Sequence, residues 1–99
     1  MQIAKVIGTV VSTRKEESVR GLKFLLLKQV DLDGNESGGH IVAADAVGAG
    51  FGEMVLYATG SSARQTVMTD KRPCDAVVMA IVDNWEVRGE FKYKKGLTD

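Results

Sequence analysis

Apolar, β-branched runs of strand length, each ended by a polar or glycine-bearing cluster, constrain this chain more than any other feature. Residues 3 to 13 are rich in β-branched side chains, with Lys5 and Thr9 on the same parity as Ile3, Ile7 and Val11, and they read as a strand. The charged stretch "RKEESVRG" that follows ends in Gly21 and reads as a loop. Residues 23 to 32 form a second strand, whose continuous apolar run from Phe24 to Leu27 predicts burial on both faces. "DLDGNESGG" is a turn-rich segment, and residues 40 to 45 and 53 to 59 read as a third and a fourth strand. Residues 60 to 73 carry the only helical signal: Ser61 or Ser62 caps one turn through Ala63, Arg64 and Gln65, and Pro73 closes the segment. Residues 75 to 87 predict one long strand, most apolar in its first half. "EFKYK", residues 90 to 94, alternates cleanly and predicts an edge strand whose lysines discourage stray pairing. Short strands, glycine-rich connections and one short helical turn predict an all-β chain closed into a small barrel. At 99 residues a single domain over 1–99 is expected.

Charge and cysteine usage exclude several classes of function. Thirteen basic residues balance thirteen acidic ones. A dedicated nucleic-acid binder carries a basic excess or stripe, so neutrality argues against one and favours self-association. The one cysteine, Cys74, forms no internal disulfide, which fits a reducing, cytoplasmic setting. Cys74 and His40 are the only soft metal ligands, too few for a structural zinc site, so neither metal nor cofactor is expected. The N-terminal apolar run is broken by Lys5 and lacks the marks of a signal peptide, and no run is long enough to span a membrane.

Three patterns resemble active sites. Gly48-Ala49-Gly50-Phe51-Gly52 resembles a dinucleotide fingerprint, but its third glycine comes one residue early and a strand, not a helix, follows. Gly48, Gly50 and Gly52 read instead as a structural turn needing positive φ or close backbone approach. The stretch from Asp31 to Glu36 resembles a calcium loop, yet glycine is fourth and the twelfth residue is Val42, so Asp33-Gly34 is a hairpin turn. Ser61, Ser62 and Cys74 are potential nucleophiles and His40 a potential base, but nothing in the sequence brings them together, and no catalytic residue is assigned. Trp85, Phe91 and Tyr93 have the chemistry to stack bases on an OB-like barrel, which makes a single-stranded nucleic-acid-binding module the alternative function. Lys92, Lys94 and Lys95 are offset by Glu86, Glu90 and Asp99, so packing or a subunit contact is the favoured role for these rings.

The order and spacing of "MQIAKVIGTVVSTRK", "SVRGLKFLLL", "AADAVGAGFGEMVL", "GSSARQ" and "RPCDAVVMAIVD" resemble the EutN/CcmL family of bacterial microcompartment shell vertex proteins nearly end to end. Three positions depart from the common pattern: Ala46 stands for asparagine, Met54 for tryptophan and Cys74 for valine. The resemblance implies a five-stranded OB-like β-barrel assembling as a cyclic homopentamer. It implies no catalysis and no cofactor. Its expected partners are the hexameric and trimeric proteins of a carboxysome or metabolosome shell in the cytoplasm, with neither nucleic acid nor membrane. It also implies that Gly60, Ser61 and Ser62 approach the fivefold axis and that Ala63, Arg64 and Gln65 lie at the contact between neighbours. Arg64 either bridges subunits with its planar fork of donors or caps carbonyls within its own chain.

Overall fold

The computed structural model describes residues 1–12, 16–60, 63, 66 and 75–96. Strands β1 (Gln2–Val10), β2 (Phe24–Val30), β3 (Glu36–Asp45), β4 (Met54–Thr59) and β5 (Ala76–Ile81) close into a barrel in the order β1-β2-β3-β5-β4. β3 and β5 pair parallel, and the other contacts between neighbours are antiparallel. A two-stranded hairpin of β6 (Asn84–Val87) and β7 (Glu90–Lys94) lies apart from the barrel sheet. One 3-10 turn, Glu17–Val19, sits between β1 and β2.

Strand alternation fills the barrel. Ala4 and Val6 of β1, Leu25 and Leu27 of β2, Ala43 of β3, Val55 and Tyr57 of β4 and Val78 of β5 make one buried cluster. A second, smaller cluster lies on the outside of the sheet, where Ala44, Ala58, Ala63 and Val77 are buried with Phe24, Ala46 and Met79 against them. The run from Phe24 to Leu27 therefore splits by parity. Leu25 and Leu27 are sealed inside, whereas Phe24 and Leu26 face outward and are half-buried in the single subunit. Burial on both faces holds in full only for the inward pair.

Two expectations about the strands need correction. β3 begins at Glu36, not at His40. Gly38 and Gly39 are not turn residues but part of a bulge, because Lys28 pairs with His40 while Val30 pairs with Glu36. Gly38 sits at φ +69°, the Gln29 carboxamide oxygen accepts the Gly39 N–H at 2.9 Å, and Lys28 Nζ donates to the Gly38 carbonyl at 2.6 Å.

Second, the long strand expected over residues 75 to 87 is two strands. The Val82 N–H still reaches the Met54 carbonyl at 2.8 Å, but Met54 opens β4. The preceding residues Gly52 and Glu53 turn back on Val6 and Gly50. With its partner exhausted the chain leaves the barrel and pairs with β7. β7 is the edge strand expected, but in a two-stranded sheet with β6 rather than in the barrel.

The hairpin is fastened by side chains. Trp85 and Tyr93 stack with centroids 5.0 Å apart, and Trp85 Nε1 donates to the Leu32 carbonyl at 2.8 Å. The indole lies over Gly34, whose φ of +86° forms the tight turn before β3. Lys92 bridges to Asp33 at 3.3 Å and Lys95 to Glu53 at 2.7 Å.

Candidate subunit interface

The connection between β4 and β5 leaves and re-enters the barrel through one closed neck: the Gly60 N–H donates to the Asp75 carbonyl at 2.8 Å. Gly60 has φ +64°, a left-handed conformation that glycine adopts without steric cost. Ala63 is fully buried in the outer cluster, against the outward faces of β3, β4 and β5. Its methyl anchors the connection to the barrel wall. Ala63 lies in a 3-10 turn. Ser61, Ser62, Arg64, Gln65 and Cys74 lie outside the described residues.

The glycine-rich stretch after β3 is organised by a residue that sequence reasoning missed. Asp45 is 5% exposed, and its Oδ1 accepts the N–H groups of Val47, Gly48 and Ala49 at 3.1, 3.0 and 3.3 Å. Glu53 Oε1 takes the Gly50 N–H at 2.6 Å. The Gly52 N–H donates to the Val6 carbonyl and the Glu53 N–H to the Gly50 carbonyl. A phosphate loop needs converging free amides, and here those amides are spent within the chain. Gly48 at φ +78° and Gly52 at φ +86° make the reversals, while Gly50 is not left-handed. The signal for Asp45 was present as an aspartate three residues before a glycine, the pattern of a side-chain-capped turn.

The other candidates separate in space or are used structurally. Asp31 Oδ1 accepts the N–H groups of Asp33 and Asn35, so that loop is a self-capped turn. Among the described residues no three His, Cys, Asp or Glu side chains gather to hold a metal. His40 is exposed on β3 opposite Lys28. Tyr93 is buried and Trp85 is tied to Leu32, so neither ring presents a free face to a base. Phe91 is 50% exposed, with Lys94 Nζ 4.1 Å from its ring centroid. Lys92 is raised above its ordinary pKa by hydrogen bonds to Asp33 and Glu90, and Lys95 by its bond to Glu53. These cations are balanced locally and do not line a phosphate groove.

The open part of the outer sheet is apolar. Val10 and Val42 are exposed there, and Leu26, which pairs with Val42, is half-buried. The closed barrel recurs in known proteins. The family model described as "Ethanolamine utilisation protein EutN/carboxysome" matches residues 1–83. The chain belongs to the EutN/CcmL family. It is 54% identical to the carboxysome shell vertex protein CcmL of Nostoc sp., over 96% of this chain and 95% of the relative. It is 38% identical to the bacterial microcompartment shell vertex protein EutN of Salmonella typhimurium, covering 96% of each. The solved structure of Gloeobacter violaceus CcmL superposes with a TM-score of 0.92 at 50% identity, covering 96% of this chain and 98% of that one. That of GrpN, a pentameric microcompartment shell protein from Rhodospirillum rubrum, superposes with a TM-score of 0.79 at 45% identity, covering 88% of this chain and all of that one. These EutN/CcmL relatives are named for a structural place in a shell. Among the described residues, no helix is long and apolar enough to cross a membrane.

Proposed function

We propose that this chain is a non-catalytic vertex subunit of a bacterial microcompartment shell, built as a homopentamer that meets hexameric and trimeric shell proteins along its edges. The carrying observation is a likeness to shell vertex proteins that runs over nearly the whole chain in both sequence and fold. The mechanism is geometric: a fivefold unit set among sixfold ones introduces the curvature that closes a polyhedral shell. The Gly60 N–H bond to the Asp75 carbonyl, which draws the two ends of the β4–β5 connection together, supports that reading. On this reading Gly60, Ser61 and Ser62 approach the axis, where only small side chains fit five times over. Ala63, Arg64 and Gln65 lie at or next to the contact between neighbours, with Arg64 donating to carbonyls or a carboxylate across it.

Native mass spectrometry of the purified chain tests the proposal. The expected mass is five times 10.7 kDa. A chain that stays monomeric at all concentrations defeats it. The nucleic-acid alternative has no support in the site, since the aromatic rings sit on the appended hairpin and two of them are engaged in packing.

A further inference from the structure

A cleft runs between the barrel wall and the hairpin. One part, of about 360 Å³, opens between Phe51 and Tyr93, and the next, of about 250 Å³, reaches Asn35. Lys5, Gly52 and Tyr93 line both parts, so Lys5 stands at the middle of one continuous cleft. Its outer wall is β7, which lies beyond residue 83, where the family match ends. The cleft is thus made by setting an appended hairpin against the family barrel.

The ammonium groups at its two ends are already satisfied. Lys95 bonds Glu53 at 2.7 Å, and Lys92 approaches Asp33 and Glu90 at 3.3 and 3.4 Å. Lys5 differs. The register of β1 sets it opposite Lys28, and like charges facing each other across a ladder weaken a sheet. Lys28 Nζ donates to the Gly38 carbonyl at 2.6 Å. Lys5 is half-buried, and among the described residues no carboxylate pairs with it. A half-buried cation placed opposite another and left without a counter-charge is a standing cost with no gain inside the chain. Such departures from local consistency collect at functional sites.

Phe51 stands at the lip of the cleft and is 82% exposed. Its turn is fixed on both sides, by the Gly50 N–H on Glu53 Oε1 at 2.6 Å and the Gly52 N–H on the Val6 carbonyl at 2.8 Å. The ring is therefore presented on a rigid backbone while burying little of itself. A preorganised aromatic beside an uncompensated cation has the chemistry of a binding anchor.

We propose that this cleft is the docking site for an extended acidic segment of a partner protein, which sets a carboxylate on Lys5 Nζ and an apolar side chain against Phe51. Charge complementarity selects the occupant. The cation without a counter-charge calls for an anion, and the aromatic lip calls for an apolar group joined to it. A carboxylate suits the site better than a phosphate, because the Gly34 and Gly52 amides lining the cleft already donate to Asp31 and Val6, which leaves a dianion too few donors. The site is complete within one subunit and does not depend on the ring.

The probe is an acetylated, amidated pentapeptide alternating leucine and glutamate, with its leucine–glutamine counterpart as control. Trp85, the one tryptophan, stacks on Tyr93 of the cleft and reports occupancy through its fluorescence. The full chain titrated with the glutamate peptide should show a saturable change, and the glutamine peptide should bind about tenfold more weakly, as the loss of a charge-assisted bond requires. Lys5→Gln should erase that difference. Phe51→Ala should weaken both peptides, and Phe91→Ala, whose ring lies outside the cleft, should alter neither. No saturable change with the wild-type chain overturns the site. Equal binding of the two peptides, or selectivity that survives in Lys5→Gln, overturns the carboxylate contact. Saturation by sodium acetate over the same concentration range makes the occupant a free small anion and overturns the docked segment. The two-peptide comparison uses the wild-type chain, so it decides even where circular dichroism shows a variant unfolded. A native mass recorded on the same sample keeps a failure of the ring distinct from a failure of the cleft.

Discussion

Glu53 and Lys95 join the barrel to the hairpin: Lys95 Nζ lies 2.7 Å from Glu53 Oε2, while Glu53 Oε1 accepts the Gly50 N–H at 2.6 Å. One carboxylate thus fixes both the glycine turn and the end of β7. The Lys95 bond, then the Gly50 N–H, holds the Glu53 carboxyl below its usual range against a small opposing effect of burial. A carboxyl with a lowered folded pKa contributes stability that is present above its unfolded value, about 4.3, and lost as pH falls through the folded value. The raised pKa of Lys95 acts at the other end. Its contribution is full below the unfolded value, about 10.4, and lost as pH rises past the folded one. Glu53→Gln should therefore lower stability at neutral pH, and the gap from wild type should narrow as the medium is acidified below about pH 4. Urea melts at neutral and acid pH check this, and an equal gap at both would refute it.

Asp45 predicts a larger effect, because its acceptor is buried and shared by the N–H groups of Val47, Gly48 and Ala49. Asp45→Ala strands those donors and should cost about 1–3 kcal/mol. Asp45→Asn keeps a carbonyl oxygen in the same place and should cost clearly less. Equal losses from the two variants in chemical denaturation would show that the turn is held by something other than that acceptor.

How much of this was legible beforehand follows from where each signal is stored. The inner barrel was readable because alternation is local: Leu25 and Leu27, or Val55 and Tyr57, advertise their face by parity. The bulge at Gly38 was not, because two adjacent glycines signal a turn as readily as a bulge, and only the Gln29 side chain from another strand decides between them. The split after Ile81 was equally hidden. Nothing within "AIVDNWEV" says that β4 has run out of residues to pair with. Of the candidate site, the motif around Ala63 was visible as sequence, but the apolar row from Val10 to Ala58 exists only once four registers are fixed.

Gly38 and Gly39 should respond differently to the same substitution. Gly38 has φ +69°, and a methyl there would strike the Gln29 carboxamide oxygen. Gly39 is not left-handed, and its added Cβ would stand 4.0 Å from that oxygen. Gly38→Ala should cost about 1–2 kcal/mol from the backbone conformation alone. Gly39→Ala should stay within about 0.5 kcal/mol of wild type. Thermal melts of the pair settle the point, and equal destabilisation would remove the bulge assignment.

Tyr57 carries one of the few polar atoms deep in the barrel. Its hydroxyl donates to Gln2 Oε1 at 2.5 Å and accepts from Gln29 Nε2 at 3.3 Å, linking β1, β4 and β2. Tyr57→Phe preserves the ring volume and removes only this link. The expected cost is about 0.5–1.5 kcal/mol with no change in oligomeric mass, measured by urea titration and sedimentation. A loss of more than about 3 kcal/mol would mean that the Gln2 and Gln29 amides are left without water, contrary to their half-open position.

The hairpin should prove dispensable for the fold but not for its full stability. Every barrel strand ends by Ile81, and the last ladder bond, from Val82 to Met54, is complete before β6 begins. A chain stopped after Asp83 therefore keeps the closed barrel. It loses the stacked Trp85 and Tyr93 pair, the Trp85 bond to the Leu32 carbonyl, and the Lys92 and Lys95 ion pairs. The Leu32 carbonyl faces solvent once the indole is gone, so water replaces the donor and the main loss is apolar burial. Burying an aromatic or large aliphatic side chain contributes roughly 1.5–3 kcal/mol, so the truncated barrel should melt cooperatively at a lower temperature, with its β-sheet circular dichroism intact. Trp85→Phe in the full chain separates the two contributions: it keeps most of the packing, gives up the Leu32 bond, and should fall between wild type and the truncation. An unfolded or non-cooperative truncation would show that barrel closure depends on the hairpin, and the hairpin would then belong to the folding core.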